Sequence, residues 1–242
     1  MDSGRHKAAR YRVTSLYPAA IDLTNQIELD AAYLDLILPE AAQIGLRPLI
    51  NSNYSYDQAW WFQGPIDTLR ALDGKLVRSI GPLVSMMIET WGGQPVFIAP
   101  GEVFQSAERG VVNGINMGVA TYSSWQLWTV MPYMVNASLF YGAIQYMMSA
   151  DRFNALSAAD QAALVQAARE AETWLQPRYE EWINQQVGNA VMRGGGSAVS
   201  IPRAERAAMI AEIEARWSAV VEAACGPDLA AQIRALFARH SL

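Results

Sequence analysis

Cysteine occurs once and histidine twice in 242 residues. With Cys225 alone, an intrachain disulfide is impossible and no metal-ligand spacing exists. His6 and His240 fall at the two extremities, so the body of the chain is without the commonest general base and metal ligand, which weighs against triad hydrolases and zinc enzymes. Long apolar runs are missing as well: no window approaches the roughly 20 residues of a membrane span. Residues 1–12 carry Arg5, Lys7, Arg10 and Arg12 with no apolar core behind them, so they do not read as a secretory signal peptide. Nor is there a basic stripe. The net charge is −5 with Lys and Arg scattered, and nucleic acid is not an expected partner. No paired Asp/Glu constellation stands out, so an enzyme is the minority reading, and neither cofactor nor metal is expected.

What the chain does have is apolar mass. Hydrophobic residues make up 52% of it, ample for one α/β domain or two small lobes. The chain is organised around residues 63–117. Pro65 and Ile66 lead to Thr68, an N-cap type for a short helical turn, and Asp73-Gly74 ends that turn with a residue that tolerates positive φ. Lys75-Leu-Val-Arg78 alternates polar and apolar as a short strand would, and presents an arginine at its end. Leu83–Trp91 then reads as a helix closed by Gly92-Gly93, Pro95–Ile98 as a strand, Glu102–Arg109 as a helix closed by Gly110, and Val111–Met117 as a third strand. This alternation is that of a parallel α/β sheet, which binds ligands beyond the carboxyl ends of its strands. Arg78, Asn116 and Met117 would lie there.

The ordered series Pro65, Ile66, Thr68, Leu72, Gly74, Arg78, then Pro95, Val96, then Glu102, Val103, Phe104, Gly110, Val111, Val112, Asn113, Gly114 resembles the substrate-binding proteins of TRAP transporters, of the dicarboxylate-binding type. "LDGK" or "GVVNG" alone would be unspecific; the series with its spacing is specific. The resemblance implies a two-lobed α/β fold like that of periplasmic binding proteins (class II type), with a long kinked helix bridging the lobes. It implies a small organic acid as ligand, TRAP membrane subunits as partners and a periplasmic location. Arg78 matches the family's carboxylate-binding arginine, a role suited to a planar, always-charged fork. Without the family pattern, a strand-end arginine would read as a surface ion-pair former.

Two departures bear on the ligand. Near Asp57, family members commonly bring a second polar or basic contact, and an aspartate there argues against a ligand with two carboxylates. Met117 stands where an asparagine or tryptophan often touches ligand, and Asn116 where an acid is frequent. Tyr54, Tyr56, Trp60, Trp61 and Phe62 form an aromatic cluster that reads first as core and second as cleft lining, with Tyr54 and Trp60 the candidates for ligand contact.

The rest of the chain follows in order. The family pattern begins only near residue 13, so the first lobe is expected to be incomplete and one wall of the cleft short. A helix is predicted over Leu23–Ala42 and a strand over Gly45–Ile50. Val119–Val130 reads as one helix with Tyr122 and Trp125 on a shared face. Met134–Met148 reads as strands. Ser157-Ala-Ala-Asp160 is a capping-box variant opening a helix to about Val191, kinked by Pro177. A short strand at Ala198–Ile201 and two closing helices complete the chain. Residues 1–54 and 143–182 are expected to build the first lobe, and 55–142 with 183–242 the second. An incomplete first lobe would leave a strand edge unpaired, which favours a homo-oligomer. Two other readings stay open: an enzyme using carboxylates such as Asp57 and Glu102, or a helical interaction protein built on residues 157–191.

Overall fold

The computed structural model describes Tyr11 and residues 16–19, 26–53 and 58–241. In chain order its elements are β1 (Leu16–Pro18), α1 (Gln26–Ala42), β2 (Leu46–Asn53), β3 (Gln58–Phe62), β4 (Leu76–Ser79), α2 (Pro82–Thr90), β5 (Gln94–Phe97), α3 (Val103–Glu108), β6 (Gly114–Gly118) and α4 (Val119–Ser124). There follow β7 (Tyr133–Asn136), β8 (Phe140–Ser149), α5 (Ala150–Asn154), α6 (Ala158–Gly194), β9 (Ala198–Ser200), α7 (Arg203–Cys225) and α8 (Pro227–His240). Two compact units emerge: residues 1–55, 140–179 and 214–242 form the first, residues 56–139 and 180–213 the second.

In the first unit, β8 lies between β1 and β2, antiparallel to both. Helix α1 buries Leu29, Asp30, Tyr33, Ile37 and Ala41, the three- and four-residue spacing of a single helical face. Tyr33 meets Tyr141 edge-on at 5.0 Å between ring centroids. A buried polar chain crosses this core: Tyr141 Oη donates to Asp30 Oδ1 at 2.7 Å, Asn51 Nδ2 donates to Tyr141 Oη at 2.5 Å, and Gln145 Nε2 donates to Asn51 Oδ1 at 2.8 Å. Burial and the Asp30 charge together push the Tyr141 phenol well above its ordinary pKa.

The C-terminal residues depart from expectation. Residues 214–242 belong with the first unit, whereas the sequence reading put all of 183–242 in the second. The physical reason is aromatic packing: Phe237 stacks flat on Tyr17 at 4.5 Å, and Trp217 Nε1 donates to the Leu16 carbonyl at 3.0 Å. Helical periodicity announces α7 and α8, but it does not say which sheet receives their rings.

In the second unit six strands run in the order β5-β4-β6-β3-β7-β9. Strands β5, β4 and β6 are mutually parallel and joined through α2 and α3, as the alternation predicts; β3 is antiparallel to β6 and β7. Thr68 caps the short turn that precedes β4, its hydroxyl accepting from Arg70 N at 3.3 Å, and Gly74 follows with φ +69°. Trp60, Trp61 and Phe62 of β3 are all buried, so these rings are core.

The expected helix over Val119–Val130 is broken. Helix α4 stops at Ser124, Gln126 takes left-handed backbone at φ 56°, and a 3-10 turn covers Leu127–Thr129. The break brings Leu127 and Met131 into the core, where the Met131 carbonyl accepts from Tyr122 Oη at 2.7 Å. Trp125 consequently stays 37% exposed while Tyr122 is fully buried, so the two do not share a face.

The N-cap half of the box at Ser157 is formed, Asp160 N donating to Ser157 Oγ at 3.1 Å, while Ser157 Oγ donates to Asp160 Oδ2 at 2.7 Å. Helix α6 then runs on through Pro177, whose absent N–H leaves one intrahelical bond unmade. The gap falls at the Thr173 carbonyl, and at the neighbouring position Arg178 Nη1 donates to the Trp174 carbonyl at 2.7 Å. Ser157→Ala is expected to lower stability by about 1 kcal/mol, read as a drop of a few degrees in the thermal midpoint by circular dichroism; Ser157→Asp should restore most of it.

Candidate functional site

The site is built on the carboxyl end of the parallel strands in the second unit. Its registration starts at the other end. Asn113 N donates to the Leu76 carbonyl at 2.7 Å, and Leu76 N donates to Asn113 Oδ1 at 2.9 Å. This double clamp fixes β4 against β6 and sets Arg78 opposite Ile115. Asn113 is thus a positioning residue, and its only trace in the sequence is the asparagine of the "GVVNG" segment.

Arg78 is 7% exposed. Its Nη1 donates to the Asn116 carbonyl at 3.1 Å, while Nε is sealed from solvent with no protein acceptor. Among the described residues no carboxylate pairs with it. Burial lowers the pKa of the guanidinium from its ordinary value, yet an arginine in a protein keeps its proton. The strand end therefore holds a buried positive charge without a counter-charge, an arrangement that costs several kcal/mol unless something anionic completes it.

The chain leaving β4 adds hydroxyls and a helix end. Ser79 Oγ donates to the Gly81 carbonyl at 2.8 Å, and Ser85 Oγ donates to Ser79 Oγ at 2.9 Å. Helix α2 starts at Pro82 without a side-chain cap, so the positive end of its dipole opens beside the same strand terminus. Sequence reasoning named neither serine. The signal available was their position: one ends the strand, the other lies in the first turn of the helix that follows.

The pleat sorts the other candidates. Arg78, Trp61 and Ile115 are register partners on one face, which alternation extends to Met117. Met117 is 4% exposed, and its carbonyl accepts from Trp61 Nε1 at 3.1 Å. Asn116 and Trp60 are register partners on the opposite face. Trp60 is 1% exposed and meets Trp91 edge-on at 6.3 Å. The Asn116 side chain is fully buried, with Nδ2 donating to the Ala59 carbonyl at 3.2 Å and Oδ1 without a partner. Asn116 thus touches Arg78 through its main chain. Tyr54 and Asp57 lie outside the described residues. No group of three or more His, Cys, Asp or Glu that could hold a metal occurs among the described residues.

A buried arginine fork, main-chain-braced and without an anion from the described residues, sits where a parallel α/β sheet binds its ligand. Residues 29–223 match the family described as "Bacterial extracellular solute-binding protein, family 7" (DctP). The chain belongs to that family. Solved structures of TRAP periplasmic solute-binding proteins share its two-lobed α/β fold. One, from a Sulfitobacter species with bound β-D-galacturonate, is 22% identical at a TM-score of 0.77, covering 98% of this chain and 77% of that one. Another, from Rhodoferax ferrireducens with bound malonate, is 12% identical at a TM-score of 0.80, covering 98% and 76%. A Bordetella pertussis extracytoplasmic solute receptor binding pyroglutamic acid is 19% identical at 0.74, covering 90% and 73%. As a family 7 member the chain falls among binding proteins rather than enzymes, and its work is solute recognition for transport.

Proposed function

We propose that this family 7 protein captures a small organic acid in the periplasm and delivers it to the membrane subunits of a TRAP transporter, binding without turnover. One observation carries the reading: Arg78 is buried, charged and, among the described residues, without a carboxylate partner at the strand end. A ligand carboxylate would pair with its guanidinium and turn an isolated buried charge into a charge-assisted pair. Met117, on the same face, would border the ligand. Asn116 would act through its carbonyl, and Trp60 by stiffening the sheet behind the site. Tyr54 and Asp57 precede β3; Asp57 is assigned as a contact by family position, and Tyr54 by its place in the aromatic cluster. An acid at Asp57 favours a ligand with one carboxylate. The relatives' galacturonate, malonate and pyroglutamate are all carboxylic acids, which supports the class and leaves the member to be found.

The test is a thermal-shift panel of monocarboxylic and dicarboxylic acids, with each acid assayed for chemical change afterwards. A cognate acid at a hundredfold its Kd stabilises by about 2.7 kcal/mol, a rise of roughly 5–10 °C for a chain of this size. Absence of any shift across the panel, or conversion of an acid to product, would reject the proposal. Self-association is proposed alongside it. Ile144 and Tyr146, alternate residues of β8, are 51% and 52% exposed, an apolar row beside a strand, β2, that has only one partner among the described residues. Light scattering across a dilution series is expected to give a mass above the monomer's 26.6 kDa, and a monomer at every concentration would refute this part.

A further inference from the structure

The first unit holds a second polar space, independent of the strand-end site. A cavity of about 60 Å³ lies between α1, β2 and α6, walled by apolar groups such as Leu34 and Val165 and by four charged residues: Asp35 on α1, Arg47 on β2, and Arg169 and Glu172 on α6. Asp35 and Arg169 are exposed, whereas Glu172 is 7% exposed. Two polar atoms from different elements are sealed there without a partner, Arg47 Nε and Glu172 Oε1. Arg47 is also held in place, its guanidinium carbon 4.7 Å from the centroid of the Phe153 ring. Burial pushes the Glu172 carboxyl up to about 7, so in mildly acidic solution it is neutral and a hydrogen-bond donor.

The charges decide what fits. Asp35 and Arg169 are exposed, so water screens both of their charges. That leaves the Arg47 guanidinium as the uncompensated charge facing the interior, with an N–H unspent. A neutral Glu172 adds a second donor. Donors without a buried acceptor, around a space of this volume, suit a small monovalent anion; malonate and larger acids are too big. We infer that this cavity binds a monovalent anion of chloride to formate size, held by Arg47 and taken up together with one proton on Glu172. The proton comes from solvent and is released when the anion leaves.

Chloride is the probe, followed by ³⁵Cl NMR line broadening in an Arg78→Ala background so that the strand-end arginine contributes nothing. Saturable broadening is expected at pH 6. Because only the protonated form is competent, apparent affinity should fall roughly thirtyfold by pH 8.5. Arg47→Met should abolish the effect, and Glu172→Gln, which keeps a neutral donor, should bind chloride equally at both pH values. Crystals soaked in bromide at pH 6 should carry an anomalous peak within hydrogen-bond distance of Arg47 Nε. The proposal is overturned if the parent gives no saturable broadening at pH 6, if broadening survives Arg47→Met, or if the Glu172→Gln protein keeps the parent's pH dependence. Ordered waters in place of a bromide peak would overturn it too, and that readout does not depend on any Arg47 variant folding.

Discussion

Arg78→Ala is expected to lower affinity for the cognate acid by about thirtyfold to several thousandfold, the equivalent of roughly 2–5 kcal/mol for removing one side of a buried charge-assisted pair. The ligand-free protein should respond differently. Because Arg78 has no carboxylate partner among the described residues, its removal relieves a desolvated charge and forfeits one bond, to the Asn116 carbonyl. The thermal midpoint without ligand should therefore stay level or rise. A structural ion-pair arginine would give the opposite result: a lowered midpoint together with unchanged binding. Titration calorimetry with parent and mutant, beside melts of both in the absence of acid, separates the two. Arg78→Lys should bind poorly as well, since a point charge does not replace a planar fork that also grips the Asn116 carbonyl.

Trp61→Ala is expected to cost roughly 3–5 kcal/mol of folding stability, the range for emptying a buried aromatic site. Trp61 is fully buried and stacks on Tyr122 with an interplanar angle of 8°, so the cavity would open between β3 and α4. Its indole N–H also holds the Met117 carbonyl, which stiffens β6 beside the proposed ligand. Trp61→Phe keeps most of the stack and loses that bond, so it should cost about 1 kcal/mol. Urea unfolding followed by far-UV circular dichroism is the suitable measurement, because eight tryptophans would blur a fluorescence signal. A midpoint for Trp61→Ala equal to that of the parent would refute the assigned packing.

The parts of this fold that sequence makes legible are those decided locally. Gly74 needs positive φ, Thr68 and Ser157 can cap, and Leu76–Ser79 alternates, so β4 and the start of α6 follow from a few adjacent residues. Arg78 is legible for the same reason, since a strand followed by Gly81-Pro82 must deliver its last side chains, Arg78 and Ser79, to the sheet's end. What stays hidden depends on distant partners. Gln126 has no local reason to turn left-handed; the gain comes from Leu127 and Met131 reaching the core. The assignment of α8 rests on Phe237 finding Tyr17, some 220 positions earlier. Asn116 and Trp60 read as ligand contacts because sequence gives a residue's distance from a strand end but not its face. One residue of register decides that face, and here it puts both of them opposite Arg78.

The chain passes between its units at Ser55/Tyr56, Leu139/Phe140, Tyr179/Glu180 and Ile213/Glu214, the last two of these inside α6 and α7. This has a consequence for how such a gene can be cut and recombined. No single break releases either unit as a complete product, because each is assembled from separate stretches of the message. A single recombination event between two family genes gives a protein in which at least one unit has mixed parentage. A clean exchange needs four junctions, two of them in mid-helix where register tolerates no slip. The gene is therefore expected to be inherited as one block, with ligand preference changing by point substitution around Arg78 rather than by trading halves.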